Sequence, residues 1–354
     1  MLSDRTLPAL TRKSAVLVAA MALVIAACGS DSDDTTTTTA AAGATTTTAA
    51  VTTTTTTEEP IRIGYISGGD ADAFVFQVTT NITDVAAEEG AELFSCDANF
   101  TAEEALECAR NLSAQNLDVM INWQFIAAAS EAVCEAYGNL PTVTMDVPEE
   151  PCGVVFVGAD NLAAGLIAGT GLGEFAESEF GCEYDLYVSI ELPGQPDIND
   201  QRAGGTTQGF EDVCGAIDSD KFVQIDKAQG ASDATENIRR VFTDVLTANP
   251  GAEVILIAAP FGDIDGVTAL AAADTADRSE NVWVVAHGGD AAGQNSIRSD
   301  PRWIGSVAYF PERYGTLAVP AAIALARGET VPENILLTHE LITAENIDEF
   351  YPLS

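Results

Sequence analysis

Ile61-Arg-Ile-Gly-Tyr-Ile-Ser67 is a short apolar run that stops at Gly68-Gly69 and gives way to a helix-length stretch ending at Gly90. Strand, glycine turn and helix in that order make the first half of a parallel β-α-β unit. The pattern then repeats. Residues 91–96 read as the next strand, and residues 101–115 as the next helix, opened by the capping box Thr101-x-x-Glu104. Further strands are expected at 119–122, 142–146 and 154–157 and, after a long helix from Asn161, at 184–189, 222–226, 254–258, 282–286 and 304–308. Helix-length segments such as 201–214, 232–249 and 312–327 separate the later ones. Val- and Ile-rich strands alternating with helices predict an α/β fold of parallel sheets covered on both faces. About ten strands over residues 60–354 fit two such sheets better than one.

The whole chain has 354 residues, with 15 Lys and Arg against 54 Asp and Glu and a formal charge of −39, yet 47% of it is hydrophobic. That apolar share is too high for a wholly disordered acidic chain. So acidic a surface repels phosphates, and no basic cluster beyond the N-terminus offsets it, so nucleic acid is excluded as a partner. His287 and His339, the only histidines, leave no His-rich metal site. Carboxylates alone remain able to hold Ca²⁺, but no metal and no cofactor is expected.

Residues 1–27 read as an export signal. Arg5, Arg12 and Lys13 give a positive start, and the apolar run 15–27 is shorter than the roughly 20 residues that span a bilayer. The run ends in Ile25-Ala-Ala-Cys28-Gly29, which resembles the bacterial lipobox. That resemblance implies cleavage before Cys28 and a diacylglycerol on its thiol; the alternative is an ordinary secretory signal with an incidental cysteine. Residues 28–59 carry fifteen Thr spread through Ala and have no apolar period, so they build no core. A flexible tether of that length reaches about 30 Å.

Six cysteines follow Cys28: Cys96, Cys108, Cys134, Cys152, Cys182 and Cys214. An even count in an exported chain suggests disulfides, with fifteen connectivities open. Sequential pairing (96–108, 134–152, 182–214) is preferred because each pair would link a helix to a neighbouring strand. Ligands of open parallel sheets bind beyond the carboxyl ends of the strands. Those ends read Gly68-Gly-Asp70-Ala-Asp72-Ala-Phe74, Asn122-Trp-Gln-Phe125, Asp146-Val-Pro, Pro193-Gly-Gln-Pro, Pro260-Phe-Gly-Asp263, His287-Gly-Gly-Asp290 and Tyr309-Phe-Pro. Aromatics beside carboxylates and amides suit a sugar, whose C–H face stacks on a ring while its hydroxyls bond to Asp and Asn. Each tip taken alone is equally an ordinary loop or helix cap.

The order and spacing of several motifs resemble the ribose/galactose-type (type I) periplasmic binding proteins. These are Gly64-Tyr-Ile-Ser67 with Phe74, Asp118-Val-Met-Ile-Asn122, Pro141-Thr-Val-Thr-Met-Asp146, Val157-Gly-Ala-Asp-Asn161 with Gly165, Arg202 with Gly209-Phe210, and the ending from Gly328 to Asn346. The resemblance implies two Rossmann-like lobes joined by a three-strand hinge. The N-terminal lobe would be 60–159 plus 310–338, and the C-terminal lobe 160–309 plus 339–354. It also implies a monomer that closes on a sugar or polyol, hands it to an ABC permease and touches the membrane only through its lipid. No chemical step is implied.

Carried over position by position, Asp72 and Phe74 match the first-loop contacts, Asn122 the second-strand amide, Asp146 the carboxylate for sugar hydroxyls and Arg202 the far-lobe arginine. Gln124 shares the tip of Asn122, and Tyr309 stands where a Gln is common. Val147, Pro260-Phe261 and His287-Gly288 depart from the family's Asp-Arg, Asn-Asp and Phe-Asp patterns, with Asp263 and Asp290 as displaced substitutes. Three plainer readings stay open. Arg202 and Asp146 would make a simple inter-lobe salt bridge, His287 would be a packed loop residue, or the carboxylates would serve a glycosidase. A sensor of the same fold, reporting to a membrane receptor, and a purely structural lipoprotein also remain.

Overall fold

The computed structural model describes residues 59–138, 140–229 and 233–353. The export signal 1–27, the lipidation candidate Cys28 and the tether up to Glu58 lie outside the described residues. The strands in chain order are β1 (Arg62–Ser67), β2 (Glu92–Asp97), β3 (Val119–Asn122), β4 (Thr142–Met145), β5 (Gly153–Ala159) and β6 (Leu186–Glu191). After them come β7 (Phe222–Asp226), β8 (Ile255–Ala259), β9 (Val282–Gly288), β10 (Trp303–Ala308), β11 (Asn334–Leu337) and β12 (Glu340–Ile342).

They form two six-stranded sheets, ordered β11-β5-β4-β3-β1-β2 and β12-β10-β9-β8-β6-β7. Every pairing is parallel except β10 with β12. The chain leaves the first sheet after Ala159, returns between Ala308 and Tyr314, and leaves again between Leu337 and Glu340. Two strands go beyond the sequence reading, β11 and β12: they are short edge strands with one buried position each, without the fully buried run that marks β3 and β4.

Consecutive residues of the central strands feed opposite faces, and both faces are apolar. Val188 and Ile257 pack with Ile238 and Phe242 on one side of the second sheet, while Tyr187 and Leu256 pack with Leu172 and Phe210 on the other. The first sheet divides the same way, with Tyr65 and Ile121 on one face and Ile66 and Met120 on the other. Continuous apolar strands are therefore the mark of burial between two helical layers.

The cysteines are paired 96–108, 134–152 and 182–214, with Cα–Cα separations of 5.5, 5.6 and 5.4 Å, inside the usual disulfide range. Only the first joins a helix to a strand. The second ties helix Ser130–Ala136 to the turn ahead of β5, and the third ties the end of helix Asn161–Phe180 to the end of helix Gly205–Cys214. That last geometry corrects the expectation of a strand partner, since residues 182 and 214 both fall just where a helix stops.

One close approach sets up the site. Helix Asn161–Phe180 lies so near the π-helical turn Asp200–Gly204 that a Cβ on Gly165 would come within 2.7 Å of the carbonyl oxygens of Gln201 and Arg202. Glycine at 165 thus lets the turn that carries Arg202 seat against the helix.

Candidate functional site

The strand order reverses between β1 and β3 in the first sheet and between β6 and β8 in the second, which is where open α/β sheets leave a crevice. A cavity of about 370 Å³ lies there, lined by residues that follow the carboxyl ends of strands in both sheets.

On the first lobe, Asp72 caps helix Ala73–Glu88 by accepting from the backbone N–H of Phe74 (2.9 Å) and Val75 (3.1 Å). The cap fixes the start of the helix and so the position of Phe74, whose ring meets Trp123 (6.3 Å) and Tyr314 (5.8 Å) edge-on. Trp123 stacks on Tyr314 and tilts against Phe125, which stacks in turn on Phe100. Gly68 and Gly69 make this wall possible. A Cβ on Gly68 would lie 2.0 Å from the Phe125 ring, and one on Gly69 would lie 2.2 Å from the Phe100 ring.

Asp146 follows β4 in a left-handed conformation, φ 54°. Its Oδ1 accepts from the Ala159 N–H (3.1 Å), and the Tyr314 hydroxyl donates to its carboxylate (3.2 and 3.3 Å). Burial pushes the carboxyl pKa up, opposed by the Ala159 N–H, the charge of Arg202 and the Tyr314 hydroxyl. The Tyr314 phenol is itself pushed up by burial and by the Asp146 charge, so it stays a proton donor at neutral pH.

On the second lobe, Arg202 Nε donates to Asn161 Oδ1 (2.7 Å), and the guanidinium lies 4.6 Å from the ring centre of Tyr309 and 5.9 Å from that of Phe261. The two rings hold a cation by their quadrupoles. His287 is buried, its ring nitrogens meeting the Tyr309 hydroxyl (3.1 Å) and Thr206 Oγ1 (3.4 Å). Burial first, then the charges of Arg202 and His339, hold its pKa well below the ordinary imidazole value, so it is neutral. Behind Tyr309, His339 pairs through Nδ1 with the Ala308 carbonyl and lies ring to ring with the phenol at 4.7 Å.

Of the nine sequence candidates, Asp72, Phe74, Asp146, Arg202 and Tyr309 line the cavity, and Asn122, Gln124, Asp263 and Asp290 do not. Asn122 ends β3 wholly buried, its Oδ1 taking the Gln124 N–H at 3.3 Å. Gln124 staples its loop by donating to Glu149 (2.7 Å) and Ser130 (3.3 Å) and accepting from Ile126 N–H. Asp263 opens helix Asp263–Thr275 and accepts from Ser306 Oγ (2.7 Å) and Asp290 N–H (2.9 Å). Asp290 caps helix Ala291–Ser299. Asn122, Gln124 and Asp263 are buried behind the wall and hold it, while Asp290 is exposed at its helix cap.

No ion pair joins Asp146 to Arg202 among the described residues. The cavity also takes in Phe100, Trp123, Phe125, Phe261 and His287, which sequence reasoning did not select. Four of them stand on loop tips already quoted; Phe100 follows β2, whose carboxyl end was passed over.

Among the described residues, no group of three or more His, Cys, Asp or Glu is placed to hold a metal ion, and no helix is long and apolar enough to cross a membrane. No curated protein matches the chain. Solved structures do. An ABC transporter solute-binding protein from Mycobacterium smegmatis with bound glycerol is 20% identical, with 83% of this chain and 98% of that chain covered at a TM-score of 0.66. One from Actinobacillus succinogenes with bound D-allose is 18% identical over 82% and 99% of the two chains at 0.65. Another, from Bacillus halodurans with bound myo-inositol, is 18% identical over 83% and 99% at 0.64. At such identities the likeness is one of fold. The family model described as "Periplasmic binding protein domain" matches residues 63–330, which is most of the chain, and the protein belongs to that family.

Proposed function

We propose that the protein is an extracytoplasmic solute-binding lipoprotein that captures a sugar or related polyol between its lobes and delivers it to an ABC importer. The observation that carries this reading is the cavity, whose walls come from the carboxyl ends of both sheets, with stacked rings and Asp146 on one side and Arg202 on the other. Its 370 Å³, at about 30 Å³ per water-sized group, has room for roughly a dozen heavy atoms, the number in a hexose. The rings suit a sugar's C–H face, Asp146 its hydroxyl donors and Arg202 its oxygens. Glycerol, D-allose and myo-inositol in the similar solved structures support the same ligand class here.

Asp72, Phe74, Asp146, Arg202 and Tyr309, with Trp123 and Phe261 beside them, are the proposed contacts. A ligand touching both lobes favours the closed arrangement by the free energy of the second set of contacts, and a permease would read that closed form. Asp72 and Asp146 are the two carboxylates of the lining, and both serve as acceptors of N–H or O–H donors, which fits hydroxyl binding by a carrier with no chemical step. Lipid on Cys28, the tether to residue 59 and the cysteine pairs fit a monomer working outside the cytoplasm.

The test is calorimetry or thermal shift of the purified protein against sugars, polyols and small polar metabolites. One saturable site for a sugar or polyol, with a change in Trp123 emission, is expected. Ligand at a hundred times Kd adds about 2.7 kcal/mol of stability. Silence across the sugars and polyols, from protein shown to be folded, overturns the reading.

A further inference from the structure

We propose that the ligand is a sugar acid, a monosaccharide-sized carboxylate whose carboxylate is bound by Arg202; this rests on reading the cavity as a sugar site. The second lobe faces the cavity with Arg202, Phe261, Gly262, His287, Gly288 and Tyr309. No carboxylate or carboxamide side chain is among them. A neutral sugar presents hydroxyls that must donate as well as accept, so a wall that holds one well offers side-chain acceptors. Here the only candidates are His287 and the Tyr309 hydroxyl, and they are bonded to each other and to Thr206. What remains free on this wall is the far end of Arg202.

That end is prepared for a planar anion. Nε is tied to Asn161, and the guanidinium is held over Tyr309 and Phe261. Its two terminal nitrogens make no hydrogen bond and no ion pair among the described residues. The fork of N–H groups they carry matches a carboxylate by two parallel bonds. An unpaired cation in a half-enclosed site is costly, and an incoming anion of fitting shape removes that cost.

The carboxylate acceptors left to serve ligand hydroxyls both belong to the first lobe: Asp146, already taking the Ala159 N–H and the Tyr314 hydroxyl, and Asp72, whose two backbone N–H bonds both go to Oδ1. The arrangement therefore has a direction. The carboxylate faces the second lobe, one or two hydroxyls face Asp146, and the C–H surface between them lies on Phe74 and Trp123. The chain's charge of −39 opposes anions at long range, but that field is screened beyond about 8 Å at physiological salt. Inside the cavity the two lining carboxylates, Asp72 and Asp146, belong to the first lobe, and the charge on the second-lobe wall is that of Arg202.

The experiment is titration calorimetry of the wild-type protein with matched pairs: galactose against galacturonate, glucose against glucuronate and gluconate, with glucose 6-phosphate as a further anion. At least one acid is expected to bind tenfold or more tightly than its neutral parent. Arg202→Gln is expected to cost that acid about a hundredfold in affinity and to erase the preference; Arg202→Lys, which keeps the charge but loses the fork, recovers only part. The wild-type comparison decides the matter even if a variant unfolds. A neutral sugar binding as well as its acid overturns this inference and leaves the sugar reading intact. Glucose 6-phosphate binding above every carboxylate also overturns it. Binding confined to non-sugar compounds overturns both.

Discussion

Asp263 is a carboxyl group with little water around it, and replacing it by asparagine should make the protein's stability less sensitive to pH. Burial, with a smaller contribution from the charge of Asp290, pushes its pKa up from 3.8 to about 7, against the bonds from Ser306, Asp290 N–H and Gly289 N–H. The shift is roughly three units, and at about 1.4 kcal/mol per unit it corresponds to about 4 kcal/mol. The folded value is the raised one, so the native state holds the proton more tightly than the unfolded chain. The associated stability is fully present below pH 3.8 and is lost as the pH rises through about 7. Asparagine copies the protonated form: its amide donates to Ser306 Oγ while its oxygen accepts the Asp290 N–H. Melting curves of wild type and Asp263→Asn, recorded from pH 4 to pH 8, isolate this group because every other carboxyl titrates in both. The variant should gain on the wild type by about 4 kcal/mol across that range, which is on the order of 8 °C in Tm. A Tm difference that stays constant with pH would show that Asp263 is charged throughout and that its environment has been misjudged.

Asp146→Asn should lower ligand affinity about tenfold to a hundredfold by removing a charged acceptor, while melting shows little loss, since burial already disfavours that charge. Gly165→Ala places a methyl 2.7 Å from two backbone carbonyls and should cost about 1–3 kcal/mol; by moving the Arg202 turn it should also weaken binding in calorimetry, and unchanged affinity would refute that link. Changing Cys182 and Cys214 together to serine opens a loop spanning 32 positions and should cost roughly 3 kcal/mol, read as a lower Tm that reductant no longer changes at this bridge.

What the sequence made legible follows from its periodicities. The central strands β3 and β4 are buried at every position, so their apolar runs stand out, and the tips that follow them could be found by inspection. The reading fails where one pattern serves two ends. Aspartate just past a strand and just before a helix is written the same way whether it meets a ligand or caps the helix. Asp72 lines the cavity and also caps its helix through the N–H groups of Phe74 and Val75; Asp290 caps and does not line it. At β3 a shift of one residue decides the outcome, because Asn122 is sealed in the sheet and its neighbour Trp123 reaches the cavity.

The aromatic wall is harder still to foresee, because it is made by register and not by sequence neighbours. β1 pairs with β2 so that Ser67 meets Asp97, and with β3 so that Ile66 meets Asn122. The loops that follow these pairs bring Phe100, from the end of an edge strand, level with Phe125 and over Gly68 and Gly69. The two glycines that mark the first turn in the sequence are therefore required by two rings from other loops, which lie where side chains would have been. That requirement is invisible without the sheet. It explains why a turn whose backbone has no positive φ at either position, and so would tolerate other residues, is spelled with two glycines, and why Phe100 and Phe125 can lie against it.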